Sequence, residues 1–252
     1  MSPQERRKRI LQLLEQNEKI EIVELSETLS VTPMTIRRDF DMLERQKKLI
    51  RTYGGAVAPQ VLVAEQTFES KVGKAVLEKQ AIAREAVAFV QDGMTVLLDS
   101  GTTTLEIAKL LKYRNQVTVI TNDIKIAAEL MDSNLEVIVL GGQLQKDVGA
   151  LFGSIANATL SNMHVDLLFL GANAVHSSFG ITTPTIEKAA LKRAMNKTAE
   201  RTILVTDSSK FNQKAFSKVC GLGDITTIIT DSNLPNEYIE EYDEYVDIVL
   251  AK

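Results

Sequence analysis

Apolar positions over residues 1–57 recur mostly at helical spacing, whereas those beyond residue 90 gather into short, nearly continuous runs. Ile10, Leu13 and Leu14 share one helical face, and Ser2-Pro3-Gln4-Glu5 ahead of them has the form of a capping box with proline at the first helical position. Leu25 and Leu29 mark a second, shorter amphipathic helix that stops at Ser30-Val31. A third starts with Thr32 as N-cap and Pro33 at the first helical position, where the missing N–H costs nothing. In it Ile36, Phe40 and Leu43 fall at i, i+4 and i+7 and form one buried stripe. Lys19-Ile20-Glu21-Ile22 alternates as a short strand, and Lys47 to Val57 reads as two more strands around basic and glycine-rich turns. Two helices joined by a short turn and followed by a small ribbon predict a winged helix-turn-helix domain over residues 1–58.

A linker is expected at 59–75, and the texture then changes. An amphipathic helix over 78–90 leads through Asp92-Gly93 into a strand at 95–99. Further strands are expected at 117–121, 137–140, 167–170, 203–205, 225–230 and 246–250, with helices near 105–112, 124–131, 185–197 and 235–241 between them. Short apolar strands separated by helices predict an α/β domain over 76–252, a mostly parallel, Rossmann-like sheet covered on both faces.

Composition alters this picture little. No apolar run reaches the roughly 18 to 20 residues that span a bilayer, and the charged N-terminus is not followed by an apolar stretch, so no membrane association and a cytoplasmic location are expected. With one cysteine, Cys220, and two histidines, His164 and His176, neither an intramolecular disulfide nor a structural zinc site is expected, and no cofactor is required. Charge matters more. The net charge is −4, yet residues 1–58 hold 11 Lys and Arg against 9 Asp and Glu, while the remainder holds 18 against 24. The basic clusters Arg6-Arg7-Lys8-Arg9, Arg37-Arg38, Arg45-Gln46-Lys47-Lys48 and Arg51 therefore suit a polyanion, and the acidic remainder is repelled by one.

In a helix-turn-helix the first turns of the second helix enter the major groove, where arginine grips guanine and a hydroxyl meets a phosphate or base edge. Met34, Thr35, Arg37, Arg38 and Arg45 are the candidates there, with Lys48 and Arg51 of the wing against phosphates. Taken alone, Arg37-Arg38 reads more readily as a solvated helix face, and the surrounding pattern reverses that. Two half-sites need two such units, so a homodimer or homotetramer on double-stranded operator DNA is expected.

Parallel sheets bind ligands at the carboxyl ends of their strands. The residues expected there are Asp99-Ser100-Gly101-Thr102-Thr103-Thr104, Thr121-Asn122-Asp123, Gly141-Gly142, Gly171-Ala172-Asn173 and Thr206-Asp207-Ser208-Ser209-Lys210. Ser-Gly-Thr-Thr between strand and helix supplies hydroxyls, backbone N–H groups and the positive end of a helix dipole, which is what a phosphate requires. Neither a P-loop nor a dinucleotide fingerprint is present. One at a time, Ser100 to Thr104 reads as a helix cap, the glycine pair as a turn and Lys210 as a solvated loop lysine. Their shared rim favours a small-molecule site.

Thr35-Ile36-Arg37-Arg38-Asp39 followed by Arg51-Thr52-Tyr53-Gly54-Gly55-Ala56 resembles the N-terminal signature of the DeoR family of bacterial repressors. The likeness extends over essentially the whole chain, because Asp99-Ser100-Gly101-Thr102-Thr103, Thr121-Asn122, Gly141-Gly142, Gly180-Ile181-Thr182 and Asp207-Ser208-Ser209-Lys210-Phe211 are similar to motifs of that family's sensor domain. The chain departs from the pattern at Ser30, where the family often has glycine, at Phe40, where leucine is usual, and at Lys71, where arginine is common. The resemblance implies a sensor domain with the topology of ribose-5-phosphate isomerase and a phosphorylated sugar as effector, its phosphate at Ser100 to Thr103. The expected effector contacts are Asp99, Ser100, Gly101, Thr102, Thr103, Thr121, Asn122, Gly141, Gly142, Asn173, Lys192, Asp207 and Lys210, although Lys192 on its own reads more readily as a surface helix lysine. Glu65, Phe68 and Lys71 sit where the family often has residues near the ligand entrance. The rival is a sugar-phosphate isomerase. Moving a proton beside a carbonyl needs a carboxylate base, and the isomerases it resembles carry acids in a Gly-Ala-Asp-Glu segment where this chain reads Gly171-Ala172-Asn173-Ala174. Asp99, Asp123 and Asp207 remain as substitutes, but a repressor of a carbohydrate-utilisation operon, not an enzyme, is expected.

Overall fold

The computed structural model describes residues 1–17, 19–46, 48–57 and 62–252. Lys47 of the third basic cluster, the expected domain end at Ala58-Pro59 and the start of the expected linker lie outside the described residues. The chain divides into two units, Met1–Val61 and Leu62–Lys252.

In the first unit, α1 (Pro3–Asn17) starts on the expected capping box: Ser2 Oγ accepts the Glu5 N–H at 3.3 Å and the Glu5 carboxylate accepts the Ser2 N–H at 2.8 Å. After β1 (Lys19–Glu21) come α2 (Ile22–Thr28) and α3 (Pro33–Arg45), whose cap is Thr32, its Oγ1 accepting the Thr35 N–H at 3.3 Å. Ser30, in the turn between them, has φ +51°, the left-handed region where glycine is the easier choice. Strands β2 (Ile50–Thr52) and β3 (Gly55–Val57) form the wing, and β1 pairs antiparallel with β3, as its alternation suggested. Ile36, Phe40 and Leu43 of α3 meet Ile10, Leu14, Leu25, Leu49 and Ala56 in one core.

The second unit opens with α4 (Phe68–Val72) and α5 (Val76–Val87). There follow β4 (Thr95–Leu98), α6 (Thr102–Leu111), β5 (Thr118–Thr121), α7 (Ile124–Leu130) and β6 (Glu136–Val139). A hairpin of β7 (Gln143–Gln145) and β8 (Ala150–Phe152) leads through α8 (Ser154–Leu160) to β9 (Val165–Gly171). Then come β10 (Ala174–His176), β11 (Gly180–Thr183), α9 (Ile186–Thr198), β12 (Ala199–Val205), β13 (Ser217–Cys220), β14 (Thr227–Asp231), α10 (Asn236–Asp243) and β15 (Asp247–Ala251). Among the described residues, seven strands form one parallel sheet in the order β15-β14-β12-β9-β4-β5-β6. The chain runs outward from β4 to β6, returns to lay β9 on the other flank of β4, and runs outward again to β15. The strand order therefore reverses between β4 and β9, which is where open parallel sheets bind ligands.

Alternate residues of each strand feed two cores, which is why the strands read as continuous apolar runs. Leu97, Ile120, Leu168 and Leu204 pack with Leu160, Leu191, Met195 and Tyr242 on one face. Val96, Val119, Phe169 and Ile203 pack with Ile82, Ile107, Leu111 and Ile126 on the other.

The expected linker needs correction over 62–75, which belongs to the second unit. The Val63 N–H donates to Lys214 O at 2.8 Å, the Phe68 N–H donates to Asp147 O at 2.9 Å, and the Lys125 ammonium lies 4.2 Å from the centroid of the Phe68 ring. The segment is too short and too polar to show an apolar period, so nothing in the sequence pattern announced α4. The β7–β8 hairpin, α8 and the small antiparallel sheet β10-β11-β13 are likewise additions, built from elements of three to seven residues. No helix among the described residues is long and apolar enough to cross a membrane.

Candidate functional site

Two surfaces carry the candidate residues. In the first unit Met34, Arg37, Arg38, Arg45, Lys48 and Arg51 are exposed, and Thr35 is half-buried with its hydroxyl 3.0 Å from that of Thr32. Met34, Arg38 and Arg45 occupy the side of α3 opposite the buried stripe. Arg51 is less free than expected: its guanidinium pairs with Asp41 of α3 and its N–H donates to the Glu44 carboxylate at 3.3 Å, tying the wing to α3. Within the first basic cluster, Arg6 and Arg7 are tied to an internal carboxylate. Their Nε atoms donate to the two oxygens of buried Asp39 at 2.5 and 2.9 Å. Asp39 follows Arg38 yet flanks the Ile36–Phe40 stripe, and that position was the signal that an acid would be buried there and need cations.

In the second unit a cavity opens at the carboxyl ends of β4, β9 and β12. Of the thirteen expected effector contacts it brings together Asp99, Ser100, Gly101, Thr102, Thr103, Asn173, Lys192, Asp207 and Lys210. Asp99, at the end of β4, accepts the Gly171 N–H at 2.9 Å and pairs with Lys192 of α9, whose ammonium also donates to Gly171 O at 2.9 Å. This closed ring ties the two strands at the reversal point. Ser100 Oγ donates to Asp123 at 2.8 Å, and the other Asp123 oxygen caps α7 through the Lys125 N–H at 2.7 Å. Burial raises the Asp123 pKa above the usual carboxylate range, opposed by those hydrogen bonds. Gly101 caps α6 without a side chain, so the first N–H groups of that helix, at Thr102 and Thr103, face the cavity with no internal acceptor. Asn173 accepts the Thr183 hydroxyl at 2.9 Å, and Asp207 caps the turn of Ser208–Lys210.

Thr121, Asn122, Gly141 and Gly142 do not line the cavity. Thr121 Oγ1 donates to Leu98 O at 2.9 Å, and the Asn122 side-chain amide donates to Leu151 O at 3.2 Å. Gly142 has φ +146°, and a Cβ there would lie 2.3 Å from Phe152 O, so the residue lets the β7–β8 hairpin close. Gly141 stands beside Ile155 of α8. These four residues build the loops after β5 and β6. Of the four, Thr121 is tied to the site through Asp123, whose N–H donates to its Oγ1 at 3.1 Å and whose carboxylate holds Ser100.

The cavity also gathers lysines that were not among the expected effector contacts. Lys71, Lys74, Lys79 and Lys188 join Lys192 and Lys210, against Asp99 and Asp207 as the carboxylates of the lining. Burial pushes the Lys71 pKa down to about 8, and the neighbouring Lys188 adds to the shift. Burial likewise lowers the pKa values of Lys188 and Lys79. Lys188 lies 2.6 Å from the Glu65 carboxylate and Lys71 lies 3.9 Å from it. Lys79 donates to Lys71 O at 2.7 Å and to Lys74 O, capping the chain end of α4. On α9 the signal was present: Lys188 and Lys192 are spaced i, i+4 and continue along the face of Met195, a stripe otherwise apolar. Partly desolvated ammonium groups that outnumber carboxylates around an uncapped helix N-terminus favour an anion.

Residues 6–61 match the DeoR-like helix-turn-helix domain, and residues 74–232 match the DeoR C terminal sensor domain. An HTH-type transcriptional regulator from Haemophilus influenzae is 39% identical over 236 residues, covering 93% of this chain and 92% of its own. The HTH-type transcriptional repressor GlcR of Bacillus subtilis is 37% identical over 238 residues, covering 94% and 91%. Among solved structures, ribose 5-phosphate isomerase A from Methanocaldococcus jannaschii is similar to 55% of this chain and 55% of that one, with a TM-score of 0.42 and 19% identity. The relatives at high coverage are transcriptional regulators and not enzymes, which removes the isomerase alternative. With both of its domains matched and such relatives over nearly its full length, the chain belongs to the DeoR family of helix-turn-helix transcriptional regulators.

Proposed function

We propose that this regulator represses a carbohydrate-utilisation operon, and that a phosphorylated sugar bound in the cavity of the second unit sets its affinity for operator DNA. The observation that carries the reading is the concentration of lysines around the uncapped N-terminus of α6 at the reversal point of the sheet. The phosphate sits on the N–H and hydroxyl groups of Thr102 and Thr103 with Lys210 beside it, and the sugar hydroxyls reach Asn173 and the Asp99–Lys192 pair. The working species is a homodimer or homotetramer, since two half-sites need two winged units. The effector acts by binding one arrangement of the protein better than another, typically with about 1–3 kcal/mol of coupling.

Thermal melting of the full chain against hexose, pentose and triose phosphates, beside their unphosphorylated parents, tests the effector. A ligand at 100 times its dissociation constant should add about 2.7 kcal/mol. The shift should be absent for the parent sugar and lost in Thr103→Val. No shift with any phosphate ester would overturn the reading. On the DNA side, Arg38→Ala should weaken operator binding by about 1–3 kcal/mol and relax the preference at one base pair, whereas Lys48→Ala should weaken all sequences alike. Titration of operator and scrambled duplexes separates the two, and equal behaviour of both variants would contradict this division of contacts.

A further inference from the structure

Lys188 and Lys71 present two ammonium groups to the same part of the cavity, the Lys188 side chain only 6% exposed. Two desolvated like charges require a carboxylate nearby. Asp99 is committed to Lys192 and the Gly171 N–H, and Asp207 to the N–H and hydroxyl of Ser209. The group that answers Lys188 and Lys71 is Glu65. It arrives on residues 62–67, a strap of chain outside any helix or ladder, fixed at Val63 by a bridge to Ala215 and at its far end by the Phe68 N–H. Gln66, next to it, buries an Oε1 with no partner among the described residues, which weakens the seat.

We propose that Glu65 is an internal counter-anion, which an anionic group of the effector displaces from Lys188 and Lys71, and that its departure releases the strap 62–67. The inference rests on the cavity's being an anion site. A bound dianion and the Glu65 carboxylate at the same two lysines repel each other, so the anion binds best to the arrangement in which Glu65 has left. That difference in affinity is what a switch needs. The strap follows the first unit directly in the chain, so its release changes the covalent segment on which the DNA-binding unit is carried.

The test uses the full chain and inorganic phosphate, with sodium chloride at equal ionic strength as the screening control. Amide exchange is followed at Val63 and Phe68, whose N–H groups donate to Lys214 O and Asp147 O. Phosphate should speed exchange of both amides by about tenfold or more in the unaltered protein, and chloride should not. Glu65→Gln should exchange fast without phosphate and bind phosphate about tenfold more tightly, because it no longer competes. Phosphate that binds but leaves or slows exchange overturns the proposal, as does an equal effect of chloride or an unchanged affinity in Glu65→Gln. In those cases the anion site itself stands. Failure of phosphate to bind either protein removes the anion site, and the proposal with it.

Discussion

Lys192→Ala is expected to cost the second unit about 3–5 kcal/mol of folding stability, the loss that follows when one partner of a buried ion pair is removed. The Lys192 and Asp99 side chains are 7% and 3% exposed, and the pair is closed by two hydrogen bonds to Gly171. Without the ammonium, Asp99, only 2% exposed as a whole residue, keeps a single N–H donor. Lys188 and Lys71 lie near enough for their charges to be felt at Asp99, which softens the loss without replacing the bond. The variant carrying both Lys192→Met and Asp99→Ala has no orphaned charge and should recover most of the difference, since a buried pair contributes little net stability against apolar side chains of similar volume. Urea unfolding of the three proteins decides it. A loss below about 1 kcal/mol for the single variant would mean that the pair is solvated and that the Lys192 ammonium is available to a ligand. A large loss means that Lys192 acts on a ligand from a fixed position, as part of the frame that joins β4, β9 and α9.

How much of this was legible follows from what each signal measures. Strands buried on both faces declare themselves as apolar runs, so 95–99, 117–121 and 167–170 lie on β4, β5 and β9 with small boundary differences. The rule that ligands gather at strand ends brought out Asp99 to Thr103, Asn173 and Asp207 together, because β4, β9 and β12 are neighbours in the sheet. The same rule also named Thr121, Asn122, Gly141 and Gly142, which do not line the cavity. It knows where strands end and not which of them flank the reversal point, and β5 and β6 lie on the far side of β4. Lys79 and Lys188 were missed for a different reason: a helical lysine reads as solvated unless something covers it, and the cover here is a segment that looked like linker. Gly180 illustrates a motif residue whose role is structural, since its φ of +74° and a hypothetical Cβ 2.2 Å from Cys220 O mark the close pairing of β11 with β13.

Asp39→Ala should unfold the first unit at a temperature where the second remains folded. Arg6 and Arg7 both donate to Asp39, whose side chain is 3% exposed, so the substitution leaves a nearly buried guanidinium with no carboxylate and cuts the polar tie between α1 and α3. Loss of a buried partner costs about 3–5 kcal/mol, and a unit of this size holds only on the order of 3–9 kcal/mol in all. The deficit is therefore comparable with the whole stability of the winged unit. The second unit has its own two cores. A melting curve of the full-length variant should accordingly separate into a low transition and a high one. Operator binding should be lost while stabilisation of the upper transition by phosphate esters persists, and Asp39→Asn, which keeps the shape and two of the acceptor sites, should fall between. A single transition at the unaltered temperature would show that the Arg6–Asp39–Arg7 cluster is dispensable, and that α3 is positioned by the Ile36, Phe40 and Leu43 stripe alone. Asp39 sits one residue from Arg38 in the chain and about 100° round the helix from it, beside the buried stripe. The same short sequence thus carries both the face proposed to meet DNA and the charge that fixes how that face is held.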